Sequence, residues 1–249
     1  MDQTKLLTDN QSSGFVDTPV VGTRYAGCNL DPHESHGMAM QFIKPNDRVL
    51  DVGCGTGDFA RAIEIGRGCK VVGIEPNKER AAVARDSGLE VVTGYLDEFT
   101  INSLTHREQR FDIIMFMDVL EHVADPLALL EVAMNYLVEE GKILISVPNV
   151  AHWTVRSKLL FGIFDYQETG IMDATHLRWF TQKTICDLVR RAGLRTFHQD
   201  VSRGYWLPDY NQKHPWRRVP VSVRRKLINR FCQTFPGAFG CQHSLVVGK

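Results

Sequence analysis

The chain has 249 residues, 43% of them hydrophobic, and its 29 lysines and arginines balance 29 aspartates and glutamates. This length and hydrophobic content predict one α/β domain with insertions and a sizeable core. Proteins that bind nucleic acid are usually basic, so a formal net charge of zero argues against a nucleic-acid partner.

Cysteine usage and the apolar pattern predict a cytoplasmic protein. The six cysteines are scattered without a Cys-x-x-Cys pair, which is typical of reduced and mostly buried thiols. The polar residues 1–14 lack the apolar stretch of a secretory signal. No apolar run approaches the roughly 20 residues that a membrane span needs, so we expect no integral membrane segment.

Residues 1–35 are predicted to form an N-terminal arm, and residues 1–249 a single domain. Acids and histidines lie close together at the end of this arm, but their spacing matches no metal-ligand pattern, so the sequence predicts no metal site. A helix over 36–43 should lead into the first strand.

The central motif is an apolar run that ends in glycines at every second position, Val-Leu-Asp-Val-Gly-Cys-Gly-Thr-Gly at 49–57. The pattern predicts a buried parallel strand over 48–52, a tight turn and a helix from Phe59. Glycines permit backbone angles closed to other residues and let a ligand approach the main chain. The start of the helix would point free N–H groups at that ligand.

The spacing of the glycines indicates which type of nucleotide-like ligand the turn would bind. The dinucleotide fingerprint Gly-x-Gly-x-x-Gly/Ala fits only from Gly55 through Gly57 to Ala60, which leaves a nicotinamide cofactor as a weaker alternative. A Walker loop is absent because no Lys-Ser/Thr follows the glycines. Asp51, Gly53, Gly55 and Gly57 form a pattern that resembles the first motif of class I S-adenosylmethionine (SAM) methyltransferases.

The second and third strands supply further cofactor candidates. Glu75 ends the second predicted strand, 70–74, about 20 residues beyond the glycines, where a carboxylate can accept hydrogen bonds from two ribose hydroxyls. After the third strand, 90–93, the resemblance implies that the turn with Tyr95 and Leu96 lines the adenine. Many family members carry an acid where Tyr95 stands, so adenine contact would depend here on backbone and ring packing.

The fourth strand, predicted over 111–117, is apolar on both faces, as a central parallel strand should be. The sequence Asp-Val-Leu-Glu-His-Val-Ala-Asp-Pro follows at 118–126 and resembles SAM methyltransferases of the ubiquinone-biosynthesis type. Asp118 is a candidate for holding the ammonium group of the cofactor. Glu121 and His122 lie at the start of the next helix, where His122 either acts in the reaction or braces the loop.

For the helices and strands after residue 126, the residues that cap or end each element predict its bounds. A long helix should run to about Leu137, with Gly141 as its cap before a fifth strand over 142–147. Thr181 is the predicted N-cap of a later helix. The family resemblance implies that the last strand, 241–247, runs antiparallel to the others.

Two insertions extend this minimal pattern. Residues 150–180 are rich in aromatics and should lie over the carboxyl ends of strands four and five as a substrate lid. Their sequence resembles a subgroup associated with small-molecule or sugar methylation. Residues 202–240 form the second insertion, and the basic face of a predicted amphipathic helix over 221–235 allows weak membrane-surface contact as an alternative to a solvated face.

The chemistry suggests where to look for a base. Methyl transfer needs donor and acceptor held in line, and a hydroxyl acceptor also needs a group to take its proton. Histidine is the usual choice near neutral pH. His152 directly follows strand five and His176 lies further along the lid, so these two are the predicted catalytic candidates. Adenine amino-methyltransferases and cytosine C5 enzymes are excluded, because residues 118–121 lack Asn/Asp-Pro-Pro-Tyr/Phe and no cysteine nucleophile follows strands four or five.

Together these features predict a doubly wound α/β fold, with a mostly parallel, seven-stranded, Rossmann-like methyltransferase sheet and lid insertions. The predicted function is SAM-dependent methyl transfer to a small molecule, favoured at oxygen. N-methylation and a catalytically silent methyltransferase fold that serves as a binding partner are the alternatives. The cofactor contacts implied by the resemblance are Asp51, Gly53, Cys54, Gly55, Gly57, Glu75, Pro76, Tyr95, Leu96, Asp118 and Val119.

Overall fold

The computed structural model describes residues 15–16, 27–96, 110–211 and 216–249. Its strands, in chain order, are β1 (Phe15–Val16), β2 (Cys28–Asn29), β3 (Arg48–Val52), β4 (Lys70–Glu75), β5 (Glu90–Thr93), β6 (Phe111–Met117), β7 (Leu137–Pro148), β8 (Arg195–Val201) and β9 (Gln242–Gly248). Its helices are α1 (Ser35–Met40), α2 (Asp58–Arg67), α3 (Lys78–Asp86), α4 (Pro126–Met134), α5 (Trp153–Leu160), α6 (Gln182–Arg191), α7 (Pro208–Asn211), α8 (Val221–Thr234) and α9 (Pro236–Phe239).

Within the described residues, the large sheet has seven strands in the order β5-β4-β3-β6-β7-β9-β8. Neighbouring strands are parallel except that β9 runs antiparallel to both β7 and β8. This confirms the predicted doubly wound sheet and its reversed last strand. The strand order changes direction between β3 and β6, and in open α/β sheets the ligand crevice lies at that point, outside the carboxyl ends of the strands.

Helices cover both faces of the sheet because the central strands are apolar on both sides. Val49 and Leu50 are adjacent on β3 and fully buried, yet they belong to different core clusters. Leu50 shares its cluster with Leu130 of α4 and Ile185 of α6, and Val49 shares its cluster with Phe59 of α2. With both faces covered, the carboxyl edge is where polar residues from several strands can meet a ligand.

The region around Gly141 corrects one prediction. Helix α4 ends at Met134, and Leu137 already belongs to β7, where it pairs with Phe111. Gly141 therefore lies inside a strand and caps no helix. A Cβ at Gly141 would lie 2.8 Å from side-chain atoms of Leu137, which is itself fully buried. The glycine makes room for a core leucine on its own strand.

The two insertions pack on each other. Thr181 caps α6 as predicted, because its Oγ1 accepts the Thr184 N–H while Thr184 Oγ1 accepts the Thr181 N–H. Before it, residues 150–180 contribute to a third apolar cluster that also contains residues of 202–240. The members of this cluster are Val155, Ile171, Met172, Val201, Leu207, Tyr210, Ile228, Cys232 and Cys241.

Helix α8 confirms the predicted amphipathic helix, but two of its basic residues, the buried Arg224 and the exposed Arg225, contact the rest of the protein. Arg224 is 9% exposed and donates to the Trp216 carbonyl at 3.4 Å. Arg225 pairs with Asp31 at 3.4 Å and lies 4.5 Å from the centre of the Tyr205 ring. Weak membrane-surface contact through 221–235 stays a prediction. Each helix in the described part of the chain is too short or too polar to cross a bilayer.

Residues 27–35, at the end of the predicted arm, pack on the body of the protein. Cys28 and Glu34 are only 1% and 2% exposed. Glu34 Oε1 accepts the N–H of Tyr205 at 2.9 Å, and the Arg203 N–H donates to the His33 carbonyl at 3.0 Å. These contacts join the segment before α1 to the second insertion.

We expect Glu34→Gln to flatten the pH dependence of stability. Burial is the main cause that raises the Glu34 pKa from its ordinary 4.5 to about 7, so the folded state retains a proton that the unfolded chain has lost. The resulting stabilisation is fully present below about pH 4.5 and is lost as pH rises through about 7. A shift from 4.5 to about 7 is worth about 3 kcal/mol in full, of which about 2–3 kcal/mol falls between pH 5 and pH 8.

Urea unfolding near pH 5 and pH 8 measures this difference. The parent should lose about 2–3 kcal/mol more than the variant between the two conditions, whatever constant offset the amide introduces. Burial also raises the pKa of Asp51 to about 7, so only the difference between parent and variant isolates Glu34. An equal loss in both proteins would contradict the prediction.

Candidate active site

A glycine-rich turn joins β3 to α2 at the carboxyl edge of the sheet, as predicted. Gly53, Gly55 and Gly57 have φ angles of 76°, 58° and 83°, a region that glycine enters without steric cost. The N–H groups of Gly53 and Cys54 donate to the Ile74 carbonyl at 2.7 and 3.1 Å. These bonds tie the turn to the end of β4.

The three glycines have different surroundings. A Cβ on Gly53 would lie 2.7 Å from Cγ2 of Val119, and a Cβ on Gly57 would lie 3.1 Å from two neighbouring side-chain atoms. A Cβ on Gly55 would meet no described atom within 4 Å. Gly53 and Gly57 therefore permit close packing, whereas Gly55 faces open space in which a ligand can approach the backbone.

Glu75 closes this turn from the neighbouring strand. It ends β4 and is only 4% exposed. Its Oε2 accepts the Gly55 N–H at 2.9 Å, and its Oε1 accepts the Asn77 N–H at 2.9 Å. Each carboxylate oxygen has a second lone pair, so both oxygens can accept further donors such as ribose hydroxyls.

Asp51 supports the turn from within the sheet. It lies opposite Gly73 of β4 and Met115 of β6, and it is 4% exposed. Burial, and then the charge of Glu75, raises the pKa of the Asp51 carboxyl to about 7. Asp51 of the first motif and Glu75 at the end of β4 thus lie close enough to influence each other.

Asp118 follows β6 with a φ of 56°, which is uncommon for a residue other than glycine. Ser146 Oγ donates to its Oδ1 at 2.8 Å, and Gln242 Nε2 donates to its Oδ2 at 2.7 Å. Burial raises the pKa of this carboxyl, and both hydrogen bonds oppose the shift. Side chains of β7 and β9 therefore hold the carboxylate, and a cofactor ammonium would have to use its remaining lone pairs.

The other predicted cofactor residues divide by exposure. Tyr95 is 75% exposed and Pro76 is also exposed, so both side chains are accessible to a ligand. Leu96 is 7% exposed and belongs to the same core cluster as Leu50 of β3. The Cys54 thiol packs against Gly73, where a Cβ would lie 2.5 Å from its sulfur, and burial raises the pKa of this thiol. The Leu96 and Cys54 side chains thus serve packing.

His152 lies inside the protein. Its side chain is fully buried, with Nδ1 2.8 Å from Thr154 Oγ1 and Nε2 3.3 Å from the Tyr210 hydroxyl. Burial lowers the pKa of His152 to about 4. A general base needs a nitrogen within hydrogen-bond reach of the acceptor. With both nitrogens engaged in the core, the structure argues against His152 as the base.

His176 instead lies beside two residues that follow β6. Glu121, His122 and His176 each offer a ligand-type atom, and these atoms lie within 4.8 Å of one another. The rings of His122 and His176 have centroids 4.9 Å apart, and His122 is exposed while Glu121 is 1% exposed. Burial, and then the charge of Asp118, raises the pKa of Glu121 well above its usual range.

Main-chain bonds hold this cluster together. The Glu121 carbonyl accepts the N–H groups of Leu177 and Arg178 at 2.8 and 3.0 Å, so the end of β6 is joined to the lid. Glu121 is absent from the sequence-based candidates. The sequence feature that could have identified it is the Glu-His pair after a central strand, but only the fold brings His176 to that pair.

Comparison with known proteins identifies the family. A family model described as "Methyltransferase domain" matches residues 33–199. "Ubiquinone biosynthesis O-methyltransferase" of Aeromonas salmonicida is 28% identical over 185 residues, which cover 73% of this chain and 76% of the relative. The protein of the same name from Hahella chejuensis is 40% identical over 101 residues, but these cover only 38% of this chain and 42% of the relative.

The fold is also found among solved structures. A "SAM dependent methyltransferase" from Archaeoglobus fulgidus superposes with a TM-score of 0.57 at 18% sequence identity, over 86% of this chain and 90% of the other. The open space at Gly55, next to the buried carboxylate of Glu75, fits an adenosine-type cofactor. Since the family match spans more than half of its residues, this chain belongs to the methyltransferase domain family and is a class I SAM-dependent methyltransferase.

Proposed function

We propose that the chain transfers the methyl group of SAM to a hydroxyl of a small-molecule acceptor. The observation that carries this proposal is the cluster of Glu121, His122 and His176 at the carboxyl end of β6. A hydroxyl is a weak nucleophile until a neighbouring group takes its proton, so proton-accepting side chains suit an oxygen acceptor. The O-methyltransferase names of the relatives support the same type of reaction.

For the cofactor, we propose contacts along the turn and the two strands beside it. SAM supplies a methyl group carried on a positively charged sulfur. The backbone at Gly55 would lie against it, Glu75 would accept hydrogen bonds from the ribose, and the exposed Tyr95 and Pro76 would border the adenine. Asp118 would attract the ammonium group with the carboxylate that Ser146 of β7 and Gln242 of β9 hold in position.

For the acceptor, we propose that residues 150–180 cover it as a lid. Support comes from the bonds between Glu121 and the N–H groups of Leu177 and Arg178, which bring this segment to the cluster. Within the lid, Phe164 and Tyr166 are 42% and 57% exposed, so an apolar or aromatic acceptor suits it. A cytoplasmic location stays a prediction from cysteine usage.

Matched acceptor pairs test the reaction type. The protein is incubated with methyl-labelled SAM and with phenols or the corresponding anilines, in which an amine replaces the hydroxyl. We expect label in the methyl ethers. Label in the amines alone would favour N-methylation, in which a neutral amine needs no strong base. Absence of saturable heat on titration with S-adenosylhomocysteine would instead favour the silent binding partner.

A further inference from the structure

We propose that Glu121, His122 and His176 form a binding site for a divalent transition-metal cation such as Zn²⁺. The site combines one carboxylate with two imidazoles, and their ligand-type atoms already lie within 4.8 Å of one another. The binding part of this proposal stands on the geometry of the side chains. Its part in the reaction rests on the proposed function.

The carboxylate of Glu121 is the first argument. It is 1% exposed, and neither of its two buried oxygens has a hydrogen-bond partner among the residues that the structure describes. Two further acids, Asp118 and Asp173, lie close enough to repel its charge. The charged form of a buried acid in this position needs a positive partner, and proteins meet that need with a counter-charge or a metal ion. The two adjacent histidines turn the position into a ligand set.

The orientation of the two imidazoles is the second argument. Nδ1 of His122 lies 3.2 Å from the Thr175 carbonyl, and Nδ1 of His176 lies 3.2 Å from the Ile171 carbonyl. A carbonyl only accepts, so in the neutral form of each ring Nδ1 carries the hydrogen and Nε2 carries the lone pair. Metal-binding histidines are typically fixed in this way by a backbone carbonyl.

The rigidity of the surroundings is the third argument. The Glu121 carbonyl accepts two N–H groups from the lid, which fixes the turn before His122 relative to His176. Thr175, whose carbonyl faces His122 Nδ1, is itself held in place, because its N–H and hydroxyl donate to Asp173 Oδ1 at 2.8 and 2.6 Å. The elements that carry the ligands are thus held in place before any cation arrives.

The donor set selects the type of cation. Two nitrogens and one oxygen suit Zn²⁺ and related first-row ions, whereas Mg²⁺ and Ca²⁺ prefer oxygen ligands alone. Bonds of about 2.0–2.2 Å bring tetrahedral ligands to about 3.4 Å from each other. The three ligand atoms therefore have to approach one another by about 1.4 Å or less, and the exposure of His122 leaves the site open to solvent.

Three protein ligands leave at least one coordination position for another molecule, as in catalytic zinc sites. We infer that this position takes the oxygen of the acceptor hydroxyl. A bound cation would lower the pKa of a coordinated hydroxyl, so that its proton leaves to water and the oxygen keeps the electron pair that forms the new bond to the methyl carbon. The bond between that carbon and the sulfur of SAM breaks at the same time, its electron pair stays on sulfur, and S-adenosylhomocysteine is the leaving group.

Titration of Zn²⁺ into the metal-stripped full-length protein, followed by calorimetry, tests the site. We expect about one equivalent to bind to the parent. Glu121→Gln keeps the size of the side chain and removes its charge, and His176→Gln removes one imidazole. Each should weaken Zn²⁺ binding by more than the roughly 10–100-fold that loss of an outer partner costs. The control, His198→Gln, replaces an exposed histidine on β8 and should bind like the parent.

Saturable S-adenosylhomocysteine binding by every variant verifies that each remains folded. The site is overturned if Zn²⁺ does not bind the parent saturably, or if Glu121→Gln or His176→Gln binds it with parental affinity. Failure of the proposed function has a different signature: Zn²⁺ binds at this cluster, but labelled methyl never appears on a hydroxyl.

Discussion

Methyl transfer is expected to fall about 10²- to 10⁴-fold when His176 is replaced by glutamine. The side chain lies beside Glu121 and His122 at the carboxyl end of β6, where the proposed acceptor hydroxyl loses its proton. Without the imidazole, that hydroxyl loses part of the group that activates it, whether the group acts directly or through a cation. Affinity for SAM should stay near that of the parent, because the glycine turn is unchanged. Single-turnover rates with labelled SAM measure the effect.

His152→Gln is the matched control for this experiment. It also replaces a buried histidine of the lid segment, but its ring nitrogens contact Thr154 and Tyr210 inside the core. We expect it to lower thermal stability and to leave the single-turnover rate within a few-fold of the parent, a change far below the roughly 100-fold minimum for a lost base. The opposite pattern, with a slow His152→Gln and a fast His176→Gln, would contradict the assignment of the cluster.

Gly55→Val should weaken SAM binding about 5- to 150-fold, since a side chain forced into a close contact costs about 1–3 kcal/mol. A Cβ at this position meets no described atom within 4 Å, so the valine would enter the space assigned to the cofactor. The protein without ligand should lose only the roughly 1–2 kcal/mol that a side chain costs at positive φ. Calorimetry with S-adenosylhomocysteine and thermal unfolding separate the two effects.

Gly193→Val provides the control for backbone strain. Gly193 has a φ of 74°, and a Cβ there also meets no described atom within 4 Å. It precedes β8 at the amino edge of the sheet, opposite the proposed cofactor edge. Both variants should therefore lose similar stability, and only Gly55→Val should lose affinity. Equal affinity in both proteins would remove Gly55 from the cofactor site.

Local sequence was sufficient wherever a structure depends on near neighbours. The turn after β3 was predictable because its glycines follow an apolar strand within a few residues. The cap at Thr181 was predictable because the capping partner, Thr184, lies three residues away. Glu75 was predicted from its distance to the glycines, and its hydrogen bond to Gly55 places it beside the turn.

Predictions that depended on distant contacts were less successful. Gly141 looked like a helix cap, but Leu137 pairs with Phe111 and draws the intervening residues into β7. His152 was predicted near the reaction because it follows β7. The orientation of its ring depends on Tyr210, 58 residues later, and no local pattern contains that information.

The cluster at the end of β6 also depends on a distant contact, and here the sequence missed a grouping of residues that the structure contains. Glu121 and His122 are neighbours in sequence, and their third partner, His176, comes from the lid. Hydrophobic periodicity does not reveal which polar residue of an insertion will face the sheet edge. The bonds from Leu177 and Arg178 to the Glu121 carbonyl are the contacts that decide it.

The place of β9 has a consequence for how the protein folds. It lies between β7 and β8 although it follows both along the chain, and it pairs Leu245 with Ile145 far earlier in the sequence. Until β9 inserts, no other strand of the described part of the chain joins β8 to the sheet, and β7 presents a row of unpaired backbone groups. Pairings between distant segments form slowly, so closure of the sheet should be a late event in folding. Gln242 of β9 holds Asp118, and the carboxylate beside the cofactor edge therefore acquires its final orientation only when this insertion is complete.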